Sequence, residues 1–94
     1  MRIIGYVEHP SLKITVFHMN NRISVQFETG TYSQIYKFRE SDQLKNIQQV
    51  QALVDESFIQ SVQENFVAMH KTQNAAMSKF LTVEGQEDEF EEII

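Results

Sequence analysis

The sequence predicts an α+β fold: a four-stranded antiparallel β-meander followed by two helices, the second long and amphipathic, packed on one face of the sheet. Three observations predict it. Residues 2–39 alternate apolar and polar side chains with period two, broken by three short turn signals. Residues 43–54 switch to helical spacing. Residues 57–81 then carry Ile59, Val62, Phe66, Met69, Gln73, Ala76 and Phe80 at alternating steps of three and four, a strict heptad seam.

The first strand is expected over Arg2–Glu8 and ends at His9-Pro10-Ser11, since proline removes an N–H and restricts the residue before it. The second covers Leu12–Met19. Asn20-Asn21 follows, a pair able to take the positive φ of a tight hairpin. The third covers Arg22–Thr29, Gly30-Thr31 suits a turn with glycine at its first central position, and the fourth covers Tyr32–Arg39. These turns fix a register that places Val16 opposite Val25, Val25 opposite Tyr36, Ile23 opposite Phe38, Val7 opposite Ile14 and Gly5 opposite Val16. One face is then nearly all apolar, from Ile3, Gly5 and Val7 to Tyr36 and Phe38. A slip of one residue in any hairpin would destroy that agreement.

The helical part begins with Glu40-Ser41-Asp42 as the expected cap of a helix over Gln43–Val54, lined by Leu44, Ile47, Val50 and Val54. Asp55-Glu56-Ser57 is the expected break, with Ser57 and Gln60 forming a capping box for the long helix. No glycine or proline enforces the break, so one bent helix over 42–81 is the alternative. Phe58, Met77 and Leu81 widen the apolar stripe.

Charge divides the chain unevenly. Residues 1–83 hold eight Lys or Arg and seven Asp or Glu, a net +1. Residues 84–94 hold six acids and no base, and so supply the acidity of the −5 total. Residues 1–83 are therefore read as one α+β domain and 84–94 as an acidic, disordered tail that solubilises, competes with an anionic ligand or docks on a partner. The chain has no cysteine, hence no disulfide and no thiolate metal site. It has no stretch near the roughly 20 apolar residues of a membrane span. A soluble cytoplasmic protein without membrane partners is expected.

Chemistry-bearing patterns are sparse. His9, His18 and His70 are far apart, and none has a metal-ligand spacing to another His, Asp or Glu. His9 is expected at an exposed turn, His18 at the rim of the apolar face and His70 at the edge of the helix stripe. Three glycines leave no Gly-rich phosphate cradle. No catalytic residue, cofactor or metal is expected, and an enzyme is the disfavoured class.

Two surfaces remain. On the polar face of the sheet the register gathers every charged strand residue, Arg2, Glu8, Lys13, Arg22, Glu28, Lys37 and Arg39, with large apolar groups between them. Tyr6 and Phe17 beside Arg22, Lys37 and Arg39 form a combination able to bind single-stranded nucleic acid, with rings for bases and cations for phosphates. The competing reading is a face covered by a partner protein or simply solvated. The second surface is the seam of the long helix. Strands of eight residues span roughly 26 Å, against roughly 37 Å for a helix over 57–81. Phe66, Met69, Gln73, Ala76, Met77 and Phe80 are therefore the expected interface of a homodimer, with Gln73 the polar residue that sets register. The alternative is that helix 43–54 covers the same stripe. The order of elements over 2–81 resembles the whirly-type and PUR-repeat single-strand-binding families, which implies a strand surface for nucleic acid and a helix for dimerisation. The leading expectation is a non-enzymatic interaction module, homodimeric through its C-terminal helix, with protein partners of unknown identity. Single-stranded nucleic-acid binding is the alternative.

Overall fold

The structure is a computed structural model that describes residues 1–85, and the side chains of 1–81. Four strands, β1 (Arg2–Val7), β2 (Lys13–Met19), β3 (Arg22–Glu28) and β4 (Ser33–Arg39), form one antiparallel sheet in the order β1-β2-β3-β4. Helices α1 (Ile47–Leu53) and α2 (Glu56–Gly85) follow. The chain divides into two compact units, Met1–Gln63 and a second that begins at Glu64.

In the first unit the expected register holds across β2, β3 and β4: Val16 pairs with Val25, Ile23 with Phe38 and Val25 with Tyr36. Asn20 and Asn21 both take positive φ, 51° and 63°, the pattern a two-residue hairpin turn needs to match strand twist. Ile14, Val16, Ile23, Val25 and Phe27 point inward and are buried with Val50 and Val54 of the α1 segment and Val62 of α2. Phe58, in the first turn of α2, packs its ring edge-to-face against Phe27, Tyr36 and Phe38, with centroids 5.2, 5.2 and 6.4 Å away. Gln34, the polar exception on this face, donates to the Val62 carbonyl at 2.8 Å and accepts from the Tyr36 hydroxyl. Its amide is thereby satisfied where an unpaired one would be costly.

Several local expectations are corrected. A bulge between Ile3 and Gly5 shifts the start of β1, so Ile3 pairs with Phe17 and Arg2 with His18. Ile3 moves from the expected apolar face to the open one, and Arg2 leaves the charged face. Gly30 does not take a positive φ. The Thr29 hydroxyl accepts from the backbone N–H groups of Thr31 and Tyr32 instead, at 3.3 and 3.0 Å, and organises the turn without a left-handed residue. Helix α1 starts at Ile47 rather than Gln43. Ser41 and Leu44 bond each other's backbone in a tight turn, and Asn46 is the cap, its side chain accepting from the Gln49 N–H at 2.9 Å. Asp55, not Ser57, caps α2, accepting from the Phe58 N–H at 2.9 Å. The helices are separate, because Val54 has the non-helical angles φ −85°, ψ 74°. His9 is half-buried rather than exposed, and its Nδ1 accepts from the Ser11 N–H at 3.1 Å in the β1–β2 turn. The backbone of α2 runs to Gly85, four residues past Leu81. The expected acidic tail lies outside the described residues beyond that point.

Candidate functional site

The outer face of the sheet follows from the pairing. Cross-strand partners share a face, and rows repeat every second residue. One row runs Lys13, Glu28, Ser33; the next Tyr6, Thr15, Gln26, Ile35; the next Ile3, Phe17, Ser24, Lys37; the last Met19, Arg22, Arg39. The structure therefore places all five sequence-selected residues, Tyr6, Phe17, Arg22, Lys37 and Arg39, on one face. Tyr6 is exposed and Phe17 half-buried.

Three cations gather at one corner, while Lys13 faces Glu28 at the other end. Arg22 is the direct register partner of Arg39, and Lys37 stands two residues before Arg39 on the same strand and face. Like charges directly opposite each other destabilise a sheet. Among the described residues none of the three makes an ion pair within 4 Å. Two clefts adjoin there. One is lined by Met19, Asn20, Arg22, Ser24 and Lys37. The other, more apolar, is lined by Met1, Phe17, Met19, Ser24, Gln26, Ile35 and Lys37. Thr15 is buried in this outer face, between Tyr6 and Gln26 across the sheet and Lys13 and Phe17 along its strand.

Ile3 joins the site through the bulge, as do Met1, Ser24 and Asn20 through the clefts. The signal for Ile3 was the Ile3-Ile4 pair, two consecutive branched apolar residues that break strict alternation just before Gly5. His18 stands apart from this face. Its Nε2 lies 2.8 Å from Glu40 Oε1 and ties the exit of β4 to β2, together with the Glu40 N–H donating to the Asn21 carbonyl. No group of three or more His, Cys, Asp or Glu able to hold a metal occurs among the described residues.

The second unit offers a different surface. Phe66 is 7% exposed and Met69 half-buried, whereas every residue from His70 to Leu81 is exposed. Met77, Phe80 and Leu81 are 49, 54 and 50% exposed, and Gln73 and Ala76 lie between them on the seam. Val67 flanks this stripe and is also exposed. The six residues chosen for an interface thus separate into two buried or half-buried ones and four exposed ones. His70 is exposed and bonds the Asn74 side chain one turn on, at 3.2 Å. No described helix is long and apolar enough to cross a membrane.

No family model, curated protein or solved structure matches the chain.

Proposed function

We propose that the protein is a non-enzymatic interaction module that self-associates through the exposed seam of α2. One observation carries this reading: twelve consecutive helical residues, 70–81, are all exposed yet keep apolar side chains at heptad spacing. An isolated helical stretch of this length is marginal in water, and most helical stability comes from packing an apolar face. A second copy offering the same seam supplies that packing, and a two-fold arrangement closes on itself without leaving a sticky end.

The magnitudes set how tight the association is. Met77, Phe80 and Leu81 are each about half exposed. Burying the rest of them on two copies is worth roughly 5–9 kcal/mol. That is the size of the cost of association itself, roughly 4–15 kcal/mol. At best about 5 kcal/mol is left over, so the dimer is weak and concentration-dependent, forming at roughly 0.1 mM protein or above, and the same seam is open to a helix of another protein at lower concentration. The absence of cysteine suits a reducing compartment such as the cytoplasm.

Thermal unfolding tests the reading. Linkage requires the melting temperature of a dimer to rise with protein concentration. The parent chain should show that rise over a hundredfold concentration series, and Phe80→Asp should sharply reduce it. A melting temperature independent of concentration in the parent would refute self-association.

A further inference from the structure

We propose that the outer face of the sheet is a docking site for an acidic peptide with apolar anchors, and that its occupant is the 86–94 segment of a second copy of the chain. The receiving surface has two halves that share Met19, Ser24 and Lys37: a cationic corner and an apolar cleft. The corner holds Arg22 and Arg39 face to face with Lys37 beside them, a like-charge cluster that no carboxylate neutralises among the described residues. A ligand that brings carboxylates to this corner relieves the repulsion between the arginines, which is a gain beyond simple attraction. The adjoining cleft between Phe17, Met19 and Ile35 takes an apolar side chain.

The segment matches both halves. Glu87, Asp88, Glu89, Glu91 and Glu92 surround Phe90, and Ile93 and Ile94 follow. It is the most acidic stretch of the sequence and has no base of its own to satisfy it. A nucleic-acid strand fits the surface less well. Three of the face's cations cluster at one corner of β3 and β4, and Lys13, at the opposite end, stands across from Glu28, so they do not form a continuous backbone track. Glu28 stands at the opposite end of the face, and Phe17 is half-buried, which limits its use as a stacking platform.

The probe is a synthetic, fluorescently labelled peptide with the sequence of residues 84–94, titrated into the full-length chain and read by anisotropy. It should bind, and more weakly as salt rises. Arg22→Glu together with Arg39→Glu should weaken it by about tenfold or more, as reversal of two interface charges predicts. Ile35→Ser, a change at an exposed position, should weaken it about threefold through the lost apolar contact. A chain carrying Phe90→Ala, Ile93→Ala and Ile94→Ala has a weakened segment of its own and should bind the peptide more tightly than the parent. Phe80→Asp should leave peptide binding intact, so failure here is separable from failure of the α2 seam. Absence of peptide binding, or binding indifferent to the charge reversals, would overturn the proposal. So would an oligothymidine that binds this face with steep salt dependence while the peptide does not.

Discussion

Gly5 is the residue that lets α1 lie on β1. A Cβ built there would sit 2.8 Å from Ile47 Cδ1 and 2.9 Å from Cγ1, closer than atoms tolerate. Gly5→Ala should therefore cost about 1–3 kcal/mol through overpacking, read by urea unfolding. Combining it with Ile47→Ala should cost less than the two changes added, because the clash and its partner vanish together. Strict additivity would contradict the close approach. Gly30 is the opposite case. It lacks a positive φ and has no atom within 4 Å of its would-be Cβ. Gly30→Ala should stabilise the chain by about 0.4–1 kcal/mol by restricting the unfolded state. A turn dependent on left-handed glycine would instead lose stability.

At the level of elements, the caps determine where each helix begins. Asn46 and Asp55 each hold one otherwise orphaned N–H, from Gln49 and Phe58. Asn46→Ala and Asp55→Ala should each cost about 0.5–2 kcal/mol, while Ser57→Ala should stay within about 0.5 kcal/mol. Chemical denaturation of the three variants checks the order. The same boundaries mark how far the fold could be read from residue types. Strand alternation and turn positions settled the meander and most of its register, since each inward position is fixed by period two. The bulge at Ile3–Gly5 escaped because one extra residue changes faces without changing composition. The caps escaped because Ser41, Asp42, Asn46, Asp55 and Ser57 are all able to cap, and only tertiary placement chooses among them. Asn46 with Gln49 did carry a signal, a capping side chain followed three residues on by Gln. Gln49 uses it in a variant form, accepting from the Lys45 N–H and donating to the Asp42 carbonyl.

For the whole molecule, the two units divide the work. The first holds a buried core beneath a sheet whose outer face is cationic at one corner and apolar beside it. The five outer-face residues were legible because register alone assigns faces. Arg22 meeting Arg39 was legible too, whereas the clefts were not, since cavity shape depends on side-chain packing. The second unit carries an exposed heptad seam, which in our proposal a second copy covers. Sedimentation equilibrium of the full-length chain measures that association directly. From tens of micromolar to about a millimolar, the parent's mean mass should rise from the chain mass of 11.0 kDa toward twice that, and Phe80→Asp should stay well below the parent at each concentration. A parent chain that stays at 11.0 kDa across that range, indistinguishable from Phe80→Asp, would contradict the account.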